Sequence, residues 1–519
     1  MLTVSLAERA LYAFVFVSIV SHFVYARWIR RWSRVHHPPG PSPLPLLGNV
    51  YQLPDGHKER TMSDWAVVFG KLVYVSFFRT RVLIVSSLDV AQEIMEKRSM
   101  HYSDRPRLVH MQEMMQWTSH LGYAASGEDF RKHRKWLQSA FLAHNSLVKY
   151  RPIQLREVRV LLDGMSGSSS QFEQHLNRFI GAILMEVVYG YTVTSADDKF
   201  LKYGSEVMEE VAHAGYPSLS PPDWLPFLKY VPTWLPFGKY RKESERFKDL
   251  VRKMRAGPYD YVRKTMAAGT APSSFTSTLV EEAVRTNLLT LQEEEDIKVM
   301  ATLVYGGAHS LRTFSTLSAF VLAMVLNPRV LKKAQEEMDY VVNQDRLPDF
   351  SDRNSLPYLE CIIKEVYRWH VVAPLGVPHQ STIDDKVRGY DIPGKTVIIP
   401  NLWAISRDPE RYPGPETFYP ERFEHARAGW ISQTDPRKFI FGFGRRICPG
   451  RLLADANIWL AIANMVATLD IGKARDSAGS EIEPRVESTS GFISHFEDYM
   501  SDMKPRSENA AQLIAAAAV

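Results

Sequence analysis

Apolar residues recur at three- and four-residue spacing along most of this chain, in the windows 89–97, 129–142, 156–165, 171–189, 205–214, 241–268, 293–326, 356–369 and 452–469. That period describes one face of an α-helix, so each window is predicted helical. Two regions break it. Residues 72–87, LVYVSFFRTRVLIVSS, alternate with β-branched and aromatic side chains and predict a hairpin. Residues 377–399 predict further short strands, with turn signals at Asp384-Asp385 and Pro393-Gly394. The fold class expected is mainly α with small β-sheets.

One run carries no charge at all: residues 10–26, ALYAFVFVSIVSHFVYA. As a helix it would span roughly 26 Å at ~1.5 Å per residue, close to the ~27 Å hydrocarbon thickness of an endoplasmic reticulum bilayer. Arg27, Arg30, Arg31 and Arg34 follow at once, and a basic excess on one flank keeps that flank in the cytosol. A signal peptide would instead carry its charge before the apolar run and a small-residue cleavage site after it. Residues 1–35 are therefore expected to be one transmembrane helix with its basic flank. HHPPGPSPLP, residues 36–45, holds too many prolines for a helix, so 36–50 is read as a stiff hinge and 51–519 as one catalytic body. The expected location is the endoplasmic reticulum membrane, single-pass, with the body facing the cytosol.

A near-repeat, DWLPFLKYVP (223–232) then TWLPFGKYRK (233–242), is too short for a solenoid. Its Trp, Phe and Tyr side chains, with Lys229 and Lys239 between them, suit either a loop at a bilayer interface or an aromatic surface loop packed on the body. Net charge is +5 over 519 residues, without a basic patch interleaved with aromatics, so nucleic acid is not an expected partner. Two cysteines, Cys361 and Cys448, argue against a disulfide framework and for a reducing compartment. Cys361 lies in an apolar helical window and reads as core.

Cys448 is different. It sits in FGFGRRICPG, residues 441–450, directly before the predicted helix at 452–469. A thiolate at a helix entrance is favoured by the dipole and by free backbone N–H groups. Gly442, Gly444 and Gly450 let the backbone bend and approach a flat ligand, while Arg445 and Arg446 offer forked donors to carboxylates. An iron porphyrin has both a metal needing an axial ligand and two propionates needing cations, and a cysteine ligand favours O–O cleavage.

Phe441, Gly444, Arg446, Cys448 and Gly450 fill every fixed position of FxxGxRxCxG, and here the chain resembles the cytochrome P450 family, fungal-type microsomal haem–thiolate monooxygenases in particular. Glu365 and Arg368 in KEVYRWH are similar to its ExxR motif, and Pro420-Glu421-Arg422-Phe423 to the segment that ExxR engages. The resemblance implies the family's mainly helical fold around haem b (iron protoporphyrin IX), with Cys448 as metal ligand. It implies that Arg134, His379 and Arg446 hold propionates, that Phe441, Gly442 and Gly450 shape the haem floor, and that Glu365, Arg368 and Arg422 support the cysteine loop. The family usually has Trp where this chain has Phe130, which removes an indole N–H donor. Pocket segments carried over by the resemblance are 105–120, 224–240, 301–313, 373–377 and 490–492.

Departures lie in VYGGAHSLRTFSTLSAFVLAM, residues 304–324, where relatives carry Gly-x-Asp/Glu-Thr-Thr for proton delivery. Aligned on Gly306-Gly307-Ala308, His309 takes the acid position and Ser310 a threonine position. Aligned on the run to Asn327-Pro328, Leu311 takes the acid position and Thr313 the second threonine. The registers differ by two residues, about 200° of rotation, so both cannot face the iron. The second needs no gap and is preferred. His309 then donates a proton, coordinates iron, blocks the pocket, or packs away from it.

The implied reaction is insertion of one oxygen atom from O₂ into an apolar small molecule, in secondary metabolism or xenobiotic oxidation. The implied partners are NADPH–cytochrome P450 reductase, with cytochrome b5 as a second donor, and membrane lipid. Two alternatives remain: an isomerase or dehydratase of the same fold taking a peroxide without a reductase, and a membrane-tethered haem-binding protein without turnover.

Overall fold

Helices that are apolar all round belong inside a protein. The computed structural model describes residues 36–117, 122, 124–167, 171–308, 311–424 and 434–518, and it buries every residue of 313–325 and of 457–466. In chain order the longer helices are α1 (Lys58–Phe69), α2 (Glu128–Phe141), α3 (His144–Gly167), α4 (Phe172–Tyr189), α5 (Lys199–His213), α6 (Lys239–Ala267), α7 (Phe275–Arg285), α8 (Leu291–Ala308), α9 (Leu311–Leu326), α10 (Pro328–Val342), α11 (Pro357–Trp369), α12 (Arg451–Thr468) and α13 (Glu508–Ala518). The fully buried stretches belong to α9 and α12, and α9 packs on α4, α11 and α12. Pro328 ends that central helix, and α10 leaves at 105°.

The hairpin forms as β1 (Leu72–Phe77) and β2 (Thr80–Val85). Downstream lie β3 (His379–Gln380), β4 (Asp385–Val387), β5 (Tyr390–Ile392) and β6 (Val397–Pro400), and a last pair joins β7 (Leu469–Lys473) to β8 (Ser501–Pro505). The main sheet runs β1-β2-β6-β3, with β2 parallel to β6 and the other pairs antiparallel. This register fixes His379 opposite Ile398 at the sheet edge.

The hinge residues lie along the sheet. The Tyr74 amide donates to Pro39 O at 3.1 Å, the His37 ring stacks on Tyr74 at 4.2 Å, and a Cβ on Gly40 would run into the Tyr74 carbonyl. The first residues described are thus held by β1.

Several elements differ from expectation. The window 156–165 extends to the whole of α3, because Pro152 in its interior costs a hydrogen bond without ending the helix. Asp385 opens β4 instead of making a turn, and the reversal falls at Arg388-Gly389, both at positive φ. The window 293–326 is covered by α8 and α9, with 309 and 310 outside the described residues. Helices α1, α7, α10 and α13 and the β7–β8 pair are additional. Among the described residues no single helix is long and apolar enough to cross a membrane; the anchor expected at 10–26 and its arginines lie outside them.

Candidate active site

The cysteine loop runs between the short helix Arg437–Ile440 and α12, with one 3₁₀ turn, Gly444–Arg446. Gly442 and Gly444 stand at φ +82° and +52°, and a Cβ on Gly444 would strike the Met95 carbonyl, so these two positions need glycine. The Cys448 amide donates to Phe441 O at 2.8 Å, which closes the loop on itself. Cys448 is a free, half-buried thiol. A Cβ on Gly450 would come to 4.0 Å from its Sγ. Cys361 is buried, and burial pushes its pKa up to about 11, as expected of a core thiol.

Four basic side chains converge around this loop. Arg134, on α2, lies close enough to Cys448 to be attracted by its thiolate, while burial holds its pKa below the usual guanidinium range. It makes no hydrogen bond or ion pair among the described residues. Arg446 donates from Nε to Ser103 O at 2.7 Å, and its guanidinium stacks 3.9 Å from the Phe130 ring centroid. Burial pushes the Arg446 pKa down to about 10, with Asp104 opposing and Arg134 repelling. The phenyl ring at 130 thus gives Arg446 a π face in place of an indole donor. Buried His379 bonds through Nδ1 to Tyr102 O at 2.7 Å. Burial and repulsion from Arg105 hold it neutral, well below its usual pKa. Arg105 is held by the carbonyls of Val377 and Pro378 at 3.0 and 2.6 Å, so it stands beside His379. The resemblance puts Arg105 only at the edge of the pocket segment 105–120, whereas its bonds set it beside His379.

Glu365, Arg368 and Arg422 come together in the interior. Arg368 forks onto Glu365 at 2.7 and 2.8 Å, and Arg422 Nε reaches the same carboxylate at 3.0 Å. The remaining donors of Arg368 go to the carbonyls of Ser406, Pro415 and Thr417, and those of Arg422 to Pro413, Gly414 and Thr417. These hydrogen bonds brace residues 406–419 and do not touch the cysteine loop directly. The route onward is Arg368 against the Tyr412 ring, and Tyr412 Oη to Thr434 O at 2.7 Å, just before Arg437.

Thr313 is buried in α9; His309 and Ser310 lie outside the described residues. A Cβ on Gly306 would press on Trp117 and Met254 at 3.0 and 3.1 Å, whereas one on Gly307 would meet only Leu303 at 3.8 Å. Gly306 therefore serves packing, and Gly307 marks the open side of α8. Ser315 donates to Ser494 O at 2.6 Å and lies 2.8 Å from His370 Nε2, tying the segment after 490–492 to α9. Burial pushes the His370 pKa down to about 3, so its imidazole is neutral and Nε2–H is the donor to Ser315 Oγ. A separate cavity of about 760 Å³ lies between α6 and the start of α8, where Lys248, Arg255 and Lys298 face Glu245, Asp249 and Glu295. Met115 and Gln116, of the expected pocket segment 105–120, line it, and none of the cations around Cys448 does.

The near-repeat is not symmetric. Trp224 packs 5.3 Å from Phe77 and donates to Ser218 O at 2.9 Å, while Trp234 is 80% exposed, with Phe227, Tyr230 and Phe237 also exposed.

The cytochrome P450 family model matches residues 38–492. Cytochrome P450 monooxygenase 176 of Postia placenta is 43% identical over 492 residues, 95% of this chain and 94% of that protein. Monooxygenase 136 of the same fungus is 40% identical over 489 residues, 94% of this chain and 92% of its own. Monooxygenase claR of Ampulloclitocybe clavipes is 37% identical over 508 residues, 96% of this chain and 92% of its own. This chain belongs to the cytochrome P450 family of monooxygenases, an oxidoreductase family whose cofactor is haem.

The residues present fit that group. A half-buried thiol sits at a helix entrance with an unpaired guanidinium beside it. Arg134 and Arg446 repel each other there, with Asp104 opposing at Arg446, and a dianionic ligand edge would relieve that repulsion.

Proposed function

We propose that this protein binds haem b through Cys448 and inserts one oxygen atom from O₂ into an apolar organic substrate, in secondary metabolism or xenobiotic oxidation. Electrons would come from NADPH–cytochrome P450 reductase, with cytochrome b5 as a second donor. The observation that carries this reading is the meeting of the Cys448 loop with the cations Arg105, Arg134, Arg446 and the neutral His379. The bound haem supplies the oxygen-activating chemistry. Arg134 and Arg446 would neutralise the propionates, joined by Arg105; His379, whose Nδ1–H is given to Tyr102 O, would pair with a propionate only by taking a proton on Nε2. Phe441, Gly442 and Gly450 keep the proximal floor thin. Glu365, Arg368 and Arg422 brace the segment leading to the cysteine loop. The buried Thr313 hydroxyl holds a proton donor on the distal side, with Ser310 and His309 as the other groups placed for it by sequence.

The exposed Trp234, Phe227, Tyr230 and Phe237 support a lipid-facing loop, in keeping with a single-pass endoplasmic reticulum anchor at 10–26 and a cytosolic body. The test is turnover under ¹⁸O₂ with reductase and NADPH on a panel of terpenoids, polyketides and aromatic hydrocarbons. The reading expects products carrying one labelled atom, with NADPH consumed. Conversion of an organic peroxide without NADPH, and no labelled product, would establish the isomerase or dehydratase alternative instead.

A further inference from the structure

Arg437 and Asp455 flank the cysteine loop, one before it and one after it, and they are bonded to each other: Arg437 Nε donates to Asp455 Oδ1 at 2.7 Å. The pair belongs to a closed ring of four charges. Arg437 also donates to Glu360 at 2.9 Å, Arg353 donates to Glu360 at 2.7 Å, and Arg353 donates to Asp455 at 2.6 Å. Two guanidiniums and two carboxylates thus alternate, so each charge has two opposite neighbours and none of the same sign within the ring. All four side chains are no more than about a quarter exposed. Their pairing is screened less than a surface ion pair.

The ring joins elements that nothing in the local sequence connects. Glu360 is on α11, Asp455 on the second turn of α12, Arg437 opens the short helix before the loop, and Arg353 precedes α11. A fifth group ties it to the loop itself. Buried Tyr367, on α11, donates to Asp455 Oδ1 at 3.1 Å, and its ring meets Phe441 edge-on at 5.9 Å. The carbonyl of Phe441 is the one that accepts the Cys448 amide. The loop between these anchors is bent at Gly442 and Gly444 and carries a single 3₁₀ turn. Its own hydrogen bonds do not fix where its two ends stand. The Arg437–Asp455 bond does.

We propose that the Arg353–Glu360–Arg437–Asp455 ring is a clamp on the neck of the cysteine loop, and that these positioning residues set the height and donor strength of the Cys448 thiolate beneath the haem. The inference rests on the haem–thiolate reading above. A loosened neck lets Phe441 withdraw from the Cys448 amide, which removes the hydrogen bond that fixes where the sulfur stands.

The test is the reduced carbon monoxide spectrum of the full chain, with the midpoint potential, haem content and melting temperature measured alongside. In Asp455→Asn the fraction lacking the thiolate band rises severalfold over wild type and the potential shifts, at temperatures well below melting. Asp455→Glu restores most of the thiolate band, and Arg437→Lys, which keeps the charge but not the fork, falls between. A folded, haem-loaded Asp455→Asn with the wild-type band ratio and potential would overturn the clamp and leave the ring a staple for stability only. If Asp455→Asn does not fold, Arg437→Lys and Arg353→Met carry the same comparison, and wild-type spectra in both would overturn it equally. A wild-type protein without a thiolate band would instead defeat the haem–thiolate reading itself.

Discussion

Arg446 is buried beside another guanidinium and over a phenyl ring, a costly place for a cation whose pKa is already pushed down to about 10. An anionic partner between Arg134 and Arg446 turns repulsion into attraction for both, so the site is built for a ligand's charge more than for its own stability. Asp223 shows the opposite case. Its carboxylate accepts from the amides of His110 and Ser218, both at 3.1 Å, and from Ser220 Oγ at 2.8 Å, fastening the turn at 221–224 to the segment Val109–Met114. Burial outweighs those bonds and pushes its pKa up to about 6. A folded-state value above the unfolded ~3.9 means that the folded protein holds more protons between the two. Its contribution is therefore fully present below about pH 4 and lost as pH rises through about 6, a change of ~3 kcal/mol for two pKa units. Unfolding by urea from pH 4 to 7 should show this fall in wild type and a shallower one in Asp223→Asn. Equal slopes in the two proteins would refute the assignment.

Among the elements, α11 carries most of the support for the site, with Glu365 and Arg368 on one side and Glu360 and Tyr367 on another. Glu365→Gln leaves Arg368 and Arg422 buried without their counter-charge and should cost about 3–5 kcal/mol in chemical denaturation. Breaking the exposed Arg252–Asp249 pair should barely register. A Glu365→Gln protein as stable as wild type would show that the carbonyls of 406–419 alone satisfy both arginines. The motif at 441–450 and the i, i+3 pair in α11 were legible because each lies within one turn or loop, where spacing along the chain is spacing in the fold. The ring of Arg353, Glu360, Arg437 and Asp455 was not, since its partners meet only once α11 and α12 pack. Nor were β7 and β8, which pair across residues 474–500, a stretch far longer than a hairpin loop whose turn signals close only local bends. In α10 the period was present in Val330, Leu331, Ala334, Met338 and Val342; Pro328, which ends one helix, also opens the next. The register of the distal motif turns on His309 and Ser310, where departures from the family pattern leave two alignments and packing of Gly306 alone does not choose between them.

At the scale of the whole molecule, the hinge and the first copy of the near-repeat meet at the sheet: Phe78 donates its amide to Leu47 O and packs near Trp224, and Leu46 and Leu47 are exposed nearby. Removing residues 1–35 should release part of the protein from anionic vesicles and leave a residual affinity. Trp234→Ser should then lower that affinity by about ten- to a hundredfold, as loss of ~1.5–3 kcal/mol of apolar burial implies. Trp224→Ser, whose ring packs on β1, should weaken stability and leave vesicle binding nearly unchanged. Equal effects of the two on binding would contradict the asymmetry of the near-repeat. The arrangement proposed for all of this is a thiolate held under a haem by a braced loop. Its most direct test is the reduced carbon monoxide difference spectrum of the full chain and of Cys448→Ser. The account predicts the thiolate-specific band in wild type and its complete loss in Cys448→Ser, because serine offers no alkoxide at neutral pH to replace the thiolate. The same band persisting in Cys448→Ser would contradict it.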